Sequence, residues 1–116
     1  MSKVWKIRLG RQAELDYADI LSWTAKHFSK VQAQTYSETI SQAIQALTDG
    51  PEILGSKRRD DIELGIRTLH VARLGRKGRH IVVFRVDGSQ TIDVLRLLHE
   101  SMDLPRHLPN ANDFPD

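Results

Sequence analysis

Val4 to Leu9 alternates, with Trp5, Ile7 and Leu9 on one side and Lys6 and Arg8 on the other, the period of two that predicts a half-buried strand. From Gln12 to Phe28 the period lengthens. Ala13, Tyr17, Ile20, Leu21, Thr24 and Phe28 recur at spacings of three and four and form one helical stripe, which Leu15 and Trp23 fall outside. Ser29-Lys30 interrupts the pattern. A second stripe follows at Ala33, Tyr36, Ile40, Ala43, Ile44 and Leu47 and stops at Asp49-Gly50-Pro51. Two helices with so short a break predict an antiparallel hairpin.

Pro51 to Gly65 has no sustained period and reads as a surface loop. Ile66 to Leu74 and Arg79 to Val86 read as strands around a Gly75-Arg76-Lys77-Gly78 turn, and Asp87-Gly88 is a two-residue hairpin signal before a last strand, Thr91 to Leu98. The expected fold is α+β: an N-terminal strand, an antiparallel two-helix hairpin, then a three-stranded antiparallel meander forming one sheet, and a short C-terminal tail. The late strands are apolar on both faces. His80, Val82, Phe84 and Val86 oppose Ile81 and Val83, while Ile92, Val94 and Leu98 oppose Leu95 and Leu97. One layer of helices covers one face of a sheet, so the other needs the tail, a second copy or a partner chain.

A chain of 116 residues, 40% apolar, suffices for one compact domain. It is expected over residues 1–108, with 109–116 as a flexible tail. No apolar run of about 18 residues is present for a membrane span, and the first residues lack the apolar core of a signal peptide, so a cytoplasmic protein with no membrane association is expected. The absence of cysteine excludes disulfides and thiolate metal sites, and the five histidines share no ligand spacing, so no metal or cofactor is expected.

The net charge of +2 hides an uneven distribution. Between Lys57 and Arg85, nine positive residues (Lys57, Arg58, Arg59, Arg67, Arg73, Arg76, Lys77, Arg79, Arg85) face three negative ones (Asp60, Asp61, Glu63). Such a stripe favours a nucleic acid or an acidic polypeptide as partner, or it is an ordinary solvated surface.

The segment Leu95-Arg96-Leu97-Leu98-His99-Glu100-Ser101-Met102-Asp103-Leu104-Pro105-Arg106-His107-Leu108 resembles the C-terminal signature of ParE toxins of the RelE/ParE superfamily. Three other segments resemble family features in the same order: Ala13 to Leu21 the first helix, Gly65-Ile66-Arg67 the start of the second strand, and Arg79 to Val86 the central strand. The resemblance implies the toxin of a type II toxin–antitoxin module, a plasmid-stabilising kind of system. It would bind and inhibit DNA gyrase without catalysis, be neutralised by a cognate ParD-like antitoxin, and meet operator DNA only through the antitoxin complex. Target-binding candidates are Arg67, Arg73, Arg76, Lys77, Arg79, His99, Met102 and Asp103.

RelE-like relatives cut ribosome-bound messenger RNA on the same fold, and fold does not decide between the two activities. Metal-free RNA cleavage needs a base, an acid and cations for the developing phosphate charge. His99 with Arg67, Arg85 and Arg96 are the candidates here. A second proton-transfer group is missing, because no tyrosine follows Tyr36, and this favours gyrase inhibition. A non-toxic binding module stays open. Ordinary roles are also available: His99 closes an apolar strand, and Arg67 and Arg96 have Asp93, Glu100 and Asp103 as candidate surface partners, in pairs typically contributing under about 1 kcal/mol.

Overall fold

In the computed structural model, residues 4–108 and Phe114 are described. Strand β1 (Lys6–Leu9) leads through Gly10 into helix α1 (Arg11–His27). Helix α2 (Lys30–Ala46) follows and closes in a 3₁₀ turn at Leu47–Asp49. The break between the helices has a local cause. Ser29 is extended, and its hydroxyl accepts the Gln32 backbone N–H at 3.0 Å, capping α2. The remaining strands are β2 (Ser56–Arg58), β3 (Arg67–His70), β4 (His80–Asp87) and β5 (Thr91–His99), with a second 3₁₀ turn at Leu104–His107.

The meander β3-β4-β5 is as expected, but it is the middle of a larger sheet in the order β1-β5-β4-β3-β2. β1 pairs in parallel with β5, and β2 pairs antiparallel with β3 from within the segment expected to be loop. Three residues without apolar alternation carry no strand period; β2 exists because β3 offers it an edge. The strand expected over Ile66–Leu74 is shorter for a related reason. Val71 N–H still reaches His80 O at 3.1 Å, but at Leu74 and Gly75 the chain turns into the left-handed region, with φ of 53° and 82°. The last hairpin turns through Gly88, Ser89 and Gln90, one residue more than the Asp87-Gly88 signal implied, with Asp87 opposite Thr91.

Both faces of the sheet are buried. On the helix side Val82, Phe84, Ile92, Val94 and Leu97 pack against Ala13, Ile40, Ala43 and Leu47. Burying each large side chain of this kind contributes roughly 1.5–3 kcal/mol. The opposite face packs Ile66, Val83, Leu95 and Leu98 against Leu104, with Ile62, Leu108 and Phe114 at its margin. The chain's own 59–66 loop and tail thus supply the cover that the doubly apolar strands called for. The expectation of a flexible 109–116 segment lies outside the described residues, Phe114 excepted.

One phase prediction is corrected. Leu97, not Leu98, shares the helix side with Ile92 and Val94. The cause is a β-bulge: Val83 pairs with Arg96 but Phe84 with Val94, which leaves Leu95 as the extra residue and inverts the alternation beyond it. Asp16 of α1 stabilises this break. Its carboxylate accepts the Leu97 N–H at 3.0 Å and both Nε and Nη2 of Arg96 at 2.8 Å.

Candidate functional site

An open groove of about 1060 Å³ runs between the helical hairpin, the 75–80 turn and the end of β5. One wall is apolar: Ile20, Trp23 and Phe28 near the α1–α2 break, and Met102 opposite from the tail. Trp23 and Phe28 keep 54% and 62% of their surface exposed although each is large and apolar. Trp23 stacks on His27 at 4.3 Å and meets the Phe28 ring edge-on at 5.8 Å, so the aromatic wall is braced by its own members. The rim is basic, with Arg76, Lys77 and Arg79.

At the base α2 meets β4 and β5. Tyr36 Oη lies 2.6 Å from His80 Nδ1, and the Arg79 backbone N–H donates to the same oxygen at 3.2 Å. The phenol therefore accepts from Arg79 and shares a second hydrogen bond with His80. Gly78 makes this possible, because a Cβ there would stand 2.8 Å from Tyr36 Cε1 and 2.7 Å from Val71 Cγ2. The His80 and His99 rings meet edge to face at 5.4 Å. Burial, followed by the neighbouring His99 and His70, lowers the His80 pKa to about 4, while burial raises that of Tyr36. Both are uncharged at neutral pH. His99 Nδ1 accepts the Ser101 N–H at 3.1 Å, and the Ser101 hydroxyl lies 2.7 Å from the same nitrogen. Just outside the groove, Glu100 is held ionised below its usual range by a 2.7 Å bond to His70, and Arg79 approaches it at 3.4 Å.

The structure sorts the candidates named from the sequence. His99, Met102, Arg76, Lys77 and Arg79 share the groove. Arg73 lies beyond the rim, beside a smaller pocket on the outer side of α2. Arg67 is turned away, donating to Pro51 O at 3.0 Å and Ser56 Oγ at 3.2 Å. Asp103 pairs with Arg106 at 3.1 Å on the exposed tail. Arg85 is half-buried on β4 and does not line the groove. Arg96 is occupied by Asp16 and by His107 O at 2.8 Å. It pairs with none of the partners suggested by proximity in sequence, and Asp93 is taken by Arg8 at 2.7 Å.

The basic stripe divides as well. Arg58 and Arg59 are paired with Asp60 and Asp61 at 2.8 and 3.0 Å, whereas at the 73–79 tip Arg76 and Arg79 are held more loosely, by Glu38 at 3.7 Å and Glu100 at 3.4 Å. Sequence reasoning missed Tyr36, His80, Trp23 and Phe28 as site residues. Tyr36 and His80 sit at regular core spacings, and only the packing of α2 on β4 brings them together. The exposed Trp23, off the apolar stripe, was the legible signal.

The fold has a solved counterpart: a chain of the chromosomal ParDE TA system from P. aeruginosa superposes with a TM-score of 0.67, covering 83% of this chain and 96% of that one at 21% identity. The family described as the ParE toxin of type II toxin-antitoxin system, parDE, matches residues 7–104. The chain belongs to that family, and is thus the toxin of a type II pair with an antitoxin as partner. Among its relatives, Toxin ParE1 of Mycobacterium tuberculosis is 32% identical over 108 residues, 93% of this chain and all of that protein. Toxin ParE1 of Caulobacter vibrioides is 26% identical over 101 residues, 87% of this chain and 95% of that protein. No helix among the described residues is long and apolar enough to cross a membrane.

Proposed function

We propose that this toxin is a binding inhibitor of DNA gyrase, holding the enzyme on cleaved DNA, and that a ParD-like antitoxin neutralises it by covering the groove. The observation that carries the reading is the groove itself. A broad concavity with exposed Trp23, Phe28 and Met102 and a basic rim has the anatomy of a protein-binding surface, an apolar centre in a charged surround. An acidic antitoxin segment with apolar anchors matches it and would order on binding, giving up about 2–5 kcal/mol of gross interaction energy.

RNA cleavage is favoured by one observation, that α2 brings to the groove with Tyr36 the tyrosine that the last strand and tail lack. The electrostatics weigh against it. An efficient general acid has a pKa near the working pH, whereas His80, with a pKa near 4, carries no imidazolium proton to give at neutrality and Tyr36 is pushed up by burial. Incubating purified toxin with gyrase and supercoiled plasmid is expected to accumulate linear DNA. A translating extract given the same toxin should keep its messages intact. Message cleavage with intact DNA would overturn the reading. The product of the adjacent gene, co-expressed, should copurify and abolish the DNA breaks.

A further inference from the structure

The hydrogen bonds at the base of the groove bear on which nitrogen of each neutral imidazole carries the proton. His99 Nδ1 receives a backbone N–H from Ser101, and a backbone amide has only a donor to offer, so in the neutral ring the proton sits on Nε2. Tyr36 Oη accepts from Arg79 and lies 2.6 Å from His80 Nδ1; assigning the phenol proton to that short contact again leaves Nε2–H. Neither Nε2–H is spent on a partner among the described residues, and neither nitrogen belongs to the buried atoms left without one. The groove therefore ends at two imidazoles whose rings stand nearly perpendicular and whose Nε2 atoms have no partner among the described residues, beside Lys77, Arg79 and the aromatic wall.

We propose that this end of the groove receives a carboxylate of a bound polypeptide, whose neighbouring apolar side chain rests on Trp23, Phe28 and Met102. The inference rests on the reading of the groove as a protein-binding surface and adds the chemistry that the partner presents there. Directed N–H donors give oxyanions short, oriented hydrogen bonds, and cations at the rim supply the counter-charge. A nucleic-acid strand would use the same donors and stack on Trp23. Its repeated phosphates would also meet Asp19 in the lining and Glu100 just outside, whereas one carboxylate per apolar anchor avoids both. The mixed aliphatic and aromatic wall, with Ile20 and Met102, likewise suits side chains better than successive flat bases.

Fluorescence anisotropy with the full chain tests this using three labelled probes: a blocked hexapeptide of alternating leucine and glutamate, its leucine–glutamine counterpart, and a six-nucleotide thymidine strand. The glutamate peptide is expected to bind at least tenfold tighter than the other two. Its titration should move the His80 and His99 Nε2–H signals in imidazole ¹⁵N–¹H spectra, and His99→Leu should remove most of the glutamate preference. Equal affinity for the two peptides, tighter binding of the strand, or a glutamate preference that leaves both imidazoles unmoved would each overturn it. Such an outcome, with wild-type toxin still producing gyrase-dependent breaks, would remove only this inference. Peptide discrimination without breaks would instead remove the gyrase reading.

Discussion

Arg96 and His99 stand three residues apart on one strand and have opposite situations. Arg96 is saturated: two of its nitrogens bind the Asp16 carboxylate and the third binds a carbonyl of the tail. His99 hydrogen-bonds within its own turn through Nδ1, meets the His80 ring edge-on, and has no partner for its other ring nitrogen among the described residues. Both residue types are chemically equipped for RNA cleavage, and the sequence offers them side by side. Their partners separate them. A cation bound through each of its three nitrogens holds the fold together, whereas an open donor in a concave surface is left for something else. The same division separates Arg67 from Lys77, and Asp93 from the exposed Asp103.

Removing the saturated member should have the largest effect. Arg96→Ala removes the counter-charge of Asp16, whose side chain is 12% exposed in the intact pair, and it removes the link from the bulge to the tail. Breaking such a pair is expected to cost about 2–4 kcal/mol, allowing for its partial exposure. Urea unfolding should show this as a lower midpoint with an unchanged slope. A loss below about 1 kcal/mol would mean that the pair is held no more firmly than a surface one, and the contrast with His99 would fail.

Gly78→Ala probes how the open site is built. The added methyl meets Tyr36 and Val71 inside van der Waals distance, so Tyr36 must shift and release His80. Overpacking of this kind costs about 1–3 kcal/mol. The more specific readout is the Tyr36–His80 hydrogen bond, whose loss should move the His80 ring ¹⁵N shifts. A variant with wild-type shifts would show that the glycine does not position the phenol.

Acidification separates His80 from the carboxylates. Its folded pKa of about 4 lies below the ordinary histidine value of about 6.5, so the unfolded chain takes up this proton first as pH falls. Stability is therefore full above about pH 6.5, falls as pH drops towards 4, and has no further loss from this group below that. After discounting for partial exposure, the loss is on the order of 1–2 kcal/mol. Thermal melts at pH 7 and pH 5 should reveal it in the wild type and show a smaller difference in His80→Gln. Equal differences in the two proteins would place the acid sensitivity elsewhere.

The sequence disclosed what depends on near neighbours and concealed what depends on the fold. Both helical stripes, the Ser29 break and the three meander strands follow from local period and capping. β2 did not, because three residues in a charged run become a strand only beside β3. The phase of Leu97 and Leu98 was lost to a bulge that no periodicity announces. At the site, the basic tip was legible as composition. The pairing of Tyr36 with His80, 44 residues apart, and the capture of Arg96 by Asp16, 80 residues away, are products of α2 and α1 packing on the sheet.

The smallest effect is expected at His99, and it is also the most discriminating. His99→Ala removes a half-exposed ring that bonds Ser101, two residues away and itself exposed, and meets the His80 ring edge-on, so stability should stay within about 0.5 kcal/mol of wild type. Interface contacts contribute in a graded manner, and losing one contact of a broad surface is expected to weaken toxicity no more than about tenfold. Removing a general acid or base instead costs about 10²–10⁴-fold with folding unchanged. Growth of induced cells at matched protein level reads the difference. A combined alanine variant of Arg73, Arg76, Lys77 and Arg79 gives the opposite pole and should lose more toxicity than His99→Ala, because it removes the charge that surrounds the groove. Full toxicity in that variant, beside a folded and inert His99→Ala, would make His99 a reacting group and end the account of this toxin as a binding inhibitor.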